Sequence, residues 1–350
     1  MKLAINFGTS GEDWEAAITF AVEAERLGVD MAWTAETWGY DAATPLAYLA
    51  AKTTRLRFGA GVLQIGARTP AMTAMTAMAL ASLSKDRFAL GLGVSGPQVI
   101  EGWHGVRFAQ PLQRMRETVD IVRMVTRGER LIYHGKIYDL PLPGGEGKAL
   151  VSSAQPRPNL PIYLATLGPK SLELTGEIAD GWLGTSFIPE HASMFFDAIA
   201  VGANRVGRSL VDLDLQVAAG VVAFSDDVES LIAPRRRGLA FTLGAMGSRA
   251  HNFYNDVYRR AGYEEVAREV QDLWLHGERE AATARVPDEL VLKTNLIGTE
   301  DMVRERLRLY RSAGVNTLRV EPAGEMLEER LETLARLIHL VKEDDPVTLL

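Results

Sequence analysis

The sequence predicts an α/β protein, a (β/α)8 barrel with loop insertions. Short apolar runs alternate with amphipathic segments, and the alternation gives about eight strand–helix units. The 350 residues somewhat exceed the roughly 250 that such a barrel needs. Strand, helix, strand at this spacing implies parallel strands joined by crossover helices. A doubly wound open sheet satisfies the same alternation and stands as the alternative.

The first four strands read as Leu3–Phe7, Asp30–Ala35, Leu56–Leu63 and Phe88–Leu92. Helical spacing covers Asp13–Leu27, Pro45–Thr53 and Pro70–Ser84. Leu112, Met115, Val119 and Val122 mark a fourth helix. Ser10 ahead of Glu12 and Asp13 is a helix-start signal, as are Pro45 and Pro70, each following a threonine. The rhythm resumes with strand Leu160–Ala165, helix Pro169–Ala179, strand Gly181–Gly184, helix Pro189–Val206 and the run Leu213–Phe224. Helix Glu300–Ala313, strand Asn316–Val320 and helix Glu325–Val341 complete it. One barrel domain over residues 1–350 is expected, with insertions at about 128–159 and 234–292. The first insertion holds a hairpin pattern at Leu131–Tyr138. The second is helical and charged, opening with Arg235, Arg236 and Arg237. Both are expected to shape a pocket, because loops at the carboxyl ends of barrel strands carry the chemistry.

Composition narrows the function classes. Lys+Arg 38 against Asp+Glu 45 gives a net charge of −7, with 47 % hydrophobic and 24 % charged residues. That is an ordinary globular mix, and its acidity argues against nucleic acid as a partner. The absence of cysteine excludes disulfides, thiolate metal sites and a thiol nucleophile. No apolar run approaches the roughly 20 residues of a membrane span, and the start turns polar too quickly for a signal peptide. A cytoplasmic protein with no membrane partner is expected.

Several motifs fail on inspection. Gly91-Leu92-Gly93-Val94-Ser95-Gly96 matches GxGxxG, but Pro97 and further glycines follow where a dinucleotide site needs a helix to open. Gly147-Lys148 lacks the rest of a phosphate loop. The six histidines form neither HxH nor HExxH, so no metal site is expected. What survives lies at strand ends. Glu36, beside Trp38 and Tyr40, is a candidate proton donor. Glycines in Gly59–Gln64 and Gly91–Gly96 suggest a bulge or close backbone approach by a ligand, such as a flat ring. Thr166-Leu167-Gly168, Pro169 and Lys170 make a phosphate cradle at a helix start.

In order and spacing these pieces resemble the luciferase-like monooxygenase superfamily, and within it the branch that uses the deazaflavin coenzyme F420. The resemblance runs through Thr34–Asp41, Gly59–Pro70, Gly91–Gly105, Ala165–Lys170, Ala179–Trp182, Met246–Arg249, Asn252–Asn255 and Gly314–Asn316. It implies a (β/α)8 barrel, commonly a homodimer, acting on a small-molecule substrate. It also implies a non-proline cis peptide at Gly61-Val62 behind the coenzyme ring. Thr37, Gln64, Ser95, Gly96 and Gln98 would lie beside the ring, and Thr166, Leu167, Gly168 and Lys170 would hold the phosphate.

One departure shapes the expected chemistry. Deazaflavin dehydrogenases of this family place Asp-His after the second strand, whereas this chain has Glu36-Thr37. Threonine takes no proton at neutral pH, so reduction of an activated double bond is expected rather than alcohol oxidation. Glu36, Glu101 and His104 remain the catalytic candidates. Arg235, Arg236, Arg237 and Arg249 are candidates for holding an anionic tail. An FMN-dependent monooxygenase and a non-catalytic flavin-binding barrel are the alternatives.

Overall fold

The computed structural model describes residues 1–8, 13–247 and 252–343; Ser10, Glu12, Ser248, Arg249 and His251 lie outside them. Eight parallel strands form the barrel: β1 Lys2–Asn6, β2 Met31–Thr34, β3 Arg57–Gln64, β4 Phe88–Gly93, β5 Ile162–Ala165, β6 Gly181–Gly184, β7 Asp214–Phe224 and β8 Thr317–Pro322. Each pairs with the next, and β8 pairs back onto β1. That closure removes the open sheet from consideration. The surrounding helices are α1 Trp14–Leu27, α2 Ala43–Lys52, α3 Pro70–Leu83, α4 Pro111–Thr126, α5 Pro169–Ile178, α6 Ser193–Arg205, α7 Glu300–Ser312 and α8 Leu327–Glu343.

Local chemistry sets the boundaries. Asp13 caps α1 by accepting the Ala16 N–H at 2.9 Å. α2 begins at Ala43, ahead of Pro45, because Asp41 accepts the Thr44 N–H at 2.9 Å. Thr69 caps α3 with Pro70 in its first turn, as its sequence indicates. The helix expected over Pro189–Val206 divides into a short turn, Pro189–His191, and α6. Asn316 precedes β8 instead of joining it. Its side-chain oxygen accepts the Leu215 N–H, and its carbonyl accepts the Lys2 N–H, which ties β7 and β1 together at their starts.

Strand alternation turns every second residue inward. Ala4, Met31, Trp33, Ala89, Tyr163 and Leu183 meet there as a small core, apart from the larger one between sheet and helices. Trp33 Nε1 donates to Gln216 Oε1 at 2.9 Å. Gln216 Nε2 and the Tyr163 hydroxyl both donate to Asp214 Oδ2, at 2.9 and 2.8 Å. Burial, reinforced by the Asp214 carboxylate, pushes the Tyr163 phenol well above its ordinary value, so it stays a donor. A Cβ on Gly59 would stand 2.4 Å from the Trp33 ring, and one on Gly91 would stand 2.1 Å from the Ala60 carbonyl oxygen. These two glycines therefore serve packing inside the barrel and not a ligand's approach.

The two insertions leave from opposite ends of the barrel. The stretch after α4 departs from the amino face. Its hairpin, Tyr133–His134 with Asp139–Leu140, folds against the face of α4 that carries Gln113, Glu117 and Asp120. Fully buried Glu117 accepts the N–H groups of Lys136, Ile137 and Tyr138 at 2.7, 2.9 and 2.8 Å. This stretch is rooted away from the mouth, contrary to the expectation that both insertions shape the pocket. The other insertion departs from the carboxyl end of β7, starting at Val228 with Pro234 inside its first helix. Helices Val228–Gly244, Phe253–Tyr258, Glu264–Leu275, Arg279–Ala284 and Asp288–Thr294 share a core of their own. Asn252 and Asn255, both buried, donate to the Leu243 carbonyl, and Asn255 also donates to Ala267. Those bonds hold helix Phe253–Tyr258 in place.

Candidate active site

At the mouth, β3 and β4 lose register between Ala60 and Leu63, and the Gly61–Val62 peptide within this bulge is cis. Val62 and Ala165 pack on the inner core and stay half-buried, forming a small apolar ledge. Gln64, 2 % exposed, donates Nε2 to the carbonyls of Glu36 and Thr37 at 2.7 and 2.8 Å. Its Oε1 has no partner among the described residues. Thr37 is exposed and contributes that carbonyl.

The three catalytic candidates separate. Both carboxylate oxygens of Glu36 accept from Arg68 Nη1, and both side chains are mostly shielded. Glu36, expected as a proton donor, is paired with an arginine 32 residues away, a partner its local sequence does not reveal. Glu101 Oε1 accepts the Phe108 N–H at 2.9 Å and fastens its own loop. His104 is half-buried with Nε2 unpartnered. Ser95 adopts φ 59°, in the left-handed region, and Gly96 precedes the short helix Pro97–Ile100, where Gln98 is exposed.

The segment after β5 forms a second locus. Thr166 is buried, and its hydroxyl bonds Thr175 at 2.7 Å while its carbonyl accepts Trp182 Nε1 at 3.0 Å. Its side chain is therefore spent on structure. The N–H groups of Leu167 and Gly168 have no hydrogen bond among the described residues, and Gly168 caps α5. A cleft of about 460 Å3 opens here, lined by Gly168, Pro169, Phe253, Asp256, Arg259, Arg260 and Glu264. Arg260 Nη2 donates to the Leu167 carbonyl at 2.7 Å, while Arg259 is engaged by Glu264 at 3.2 Å. Lys170 is exposed beside it.

Of the arginines that sequence reasoning favoured for an anionic tail, Arg249 lies outside the described residues and the other three do not line this cleft. Arg236 pairs with Asp288 and Glu229, Arg235 bonds Leu231, and Arg237 is exposed. Consecutive helix residues point about 100° apart, so the three share no face. Arg259 and Arg260 carried no signal beyond being charged. Arg319 was also missed, although it stands at an inward position of β8 in register with Ala4, a core residue. Its Nη2 donates to the Gly184 carbonyl at the carboxyl end of β6. Among the described residues no group of three His, Asp or Glu could hold a metal ion. None of the helices described is long and apolar enough to cross a membrane.

A closed parallel barrel with an apolar ledge and a cleft at a helix start on its carboxyl face has the build of a (β/α)8 enzyme. The chain belongs to the luciferase-like monooxygenase family, whose model matches residues 3–317. It is 42 % identical, over 97 % of its length and 99 % of the relative's, to a Mycobacterium tuberculosis protein provisionally named a coenzyme F420-dependent oxidoreductase. It is 28 % identical, over 90 % and 91 %, to 5,10-methylenetetrahydromethanopterin reductase of Archaeoglobus fulgidus. The structure of the coenzyme F420-dependent tetrahydromethanopterin reductase from Methanopyrus kandleri superposes with a TM-score of 0.79. It covers 95 % of this chain and 97 % of that one at 20 % identity, a likeness of fold.

Proposed function

We propose that this chain is a coenzyme F420-dependent oxidoreductase that reduces an activated C=C or C=N bond of a small organic substrate. One arrangement carries the reading: the ledge of Val62 and Ala165 and the arginine-lined cleft at α5 share one face of the barrel. A flat ring with an anionic arm needs both an apolar ledge and an anion site. Gly61, Val62, Gln64, Ser95 and Gly96 would hold the ring, Gln64 through its unpartnered Oε1. Leu167, Gly168 and Arg260 would hold the phosphate, with Lys170 adding charge. The names of the relatives support this coenzyme. When bound in reduced form it supplies a hydride, and one proton completes addition across the double bond. Glu36 is engaged by Arg68 and Thr37 is no base, which favours reduction over alcohol oxidation.

Titration of the purified protein with the deazaflavin coenzyme and with FMN, followed by bound fluorescence, tests the reading. Saturable deazaflavin binding is expected, weakened about tenfold in Arg260→Met by loss of a charge-assisted contact. Tight FMN binding with no deazaflavin binding overturns it.

We also infer that the protein pairs with a second copy through α3. That helix holds no charged residue and exposes Met72, Met75 and Leu83 at 50, 57 and 68 %. Sedimentation should report a dimer that Met75→Glu splits. A wild-type monomer at micromolar concentration removes the inference.

A further inference from the structure

Arg319 is the unusual group of the barrel mouth. Alternation and its register with Ala4 and Ala218 turn it inward, where its guanidinium passes a small residue to reach the Gly184 carbonyl. Its Nε is fully shielded and has no hydrogen-bond partner among the described residues. Glu321, two residues on, is exposed and interacts with Arg235 instead. No carboxylate pairs with Arg319 among the described residues, and the titratable group that interacts with it is Tyr254, from the insertion helix held by Asn252 and Asn255. Burial pushes the Arg319 guanidinium down to about 10, with Tyr254 acting the other way, which leaves it a cation at neutral pH.

A half-buried cation without a counter-ion carries a desolvation cost, and proteins keep such charges paired or put them to use. Deep in the barrel the polar groups of Trp33, Gln216, Asp214 and Tyr163 satisfy one another, and where Arg235 and Arg306 also bury an unpartnered Nε, each interacts with a carboxylate, Glu321 and Glu190. Arg319 thus differs in lacking a counter-ion, which an oxyanion entering at the mouth would supply. A carboxylate fits the terminal nitrogens of a guanidinium, which donate charge-assisted hydrogen bonds to its oxygens. We propose that Arg319 is the specificity-determining residue of the substrate pocket and that the substrate bears a carboxylate or comparable small oxyanion. This rests on the reductase reading above and narrows its substrate class to unsaturated acids. The same chemistry could come from an anionic part of the coenzyme, so the experiment separates the two sources.

Acetate, crotonate and cinnamate are each titrated against the matching amide by calorimetry on the full chain without coenzyme. The deazaflavin titration is run in parallel on the wild type, Arg319→Met and Arg319→Lys. Acids should bind more tightly than their amides. Arg319→Met should erase that preference, a loss of about tenfold or more for the acid with the amide unchanged, and Arg319→Lys should restore part of it. Coenzyme affinity should stay within about twofold across the three proteins. If no acid outbinds its amide, or if Arg319→Met leaves the preference intact, the proposal is overturned. A selective loss of coenzyme binding in Arg319→Met overturns it too, by assigning the anion to the coenzyme. Wild-type protein that discriminates acids through Arg319 but binds no deazaflavin sinks the reductase reading while the anion site stands.

Discussion

Deep in the barrel, Trp33, Gln216, Asp214 and Tyr163 pass hydrogen bonds across the axis, and glycines at 59 and 91 let the indole and backbone close up. At the mouth, Gln64 Oε1, His104 Nε2 and Arg319 Nε have no partner among the described residues, and Val62 and Ala165 stay half-open. The same fold thus holds one region that is complete by itself and one that is not. Buried polar groups are normally satisfied, so the three at the mouth are the ones placed to meet a ligand, whereas the unpartnered Thr118 and Tyr310 hydroxyls sit on the outer helices α4 and α7.

The largest effect that tests this contrast is expected from Gly59→Ala. The added methyl meets the Trp33 ring and the Ala89 carbonyl, both fixed, so chemical denaturation should show a loss of about 1–3 kcal/mol or more. A near-neutral result would mean that the inner core yields and is less complete than its hydrogen bonds suggest.

Next comes Glu117, a buried carboxylate on the outside of the barrel that is satisfied as thoroughly as the inner core. Burial raises its pKa, but the Gln113 amide and three backbone N–H groups outweigh that and leave it below the ordinary carboxylate value. Its stabilisation is therefore present above about pH 4.5 and lost as pH falls through the lowered value. Glu117→Gln should cost about 1–2 kcal/mol at neutral pH, and the gap to wild type should narrow in acid. A gap that widens on acidification would refute the sign. The smallest effect belongs to the mouth. Removing the unpaired Arg319 charge should leave folding stability within about 0.5 kcal/mol or improve it. A large loss in Arg319→Met would place that residue with the structural group.

Much of the scaffold was readable along the chain. Strand Gly181–Gly184 and the apolar runs at Phe88 and Leu213 announce themselves by length and composition, and Pro70 and Pro169 mark helix starts. The site was readable in part. Gly61-Val62 and Leu167-Gly168 lie where local pattern and resemblance point, because backbone features travel with local sequence. The pairing of Glu36 was not readable, since its partner Arg68 comes from beyond β3. Arg260 and Arg319 reach the mouth only because the insertion folds over the barrel and β8 closes next to β1.

From its residues alone this chain is committed to alternating strands and helices, to cysteine-free chemistry and to glycine at the tight interior positions, since periodicity, composition and steric room are local properties. Which charges are quenched and which stay open was settled by tertiary structure. Electrostatic pairing depends on distances of a few ångströms between groups tens or hundreds of residues apart, such as Arg319 and Gly184, and those distances exist only once the barrel has closed.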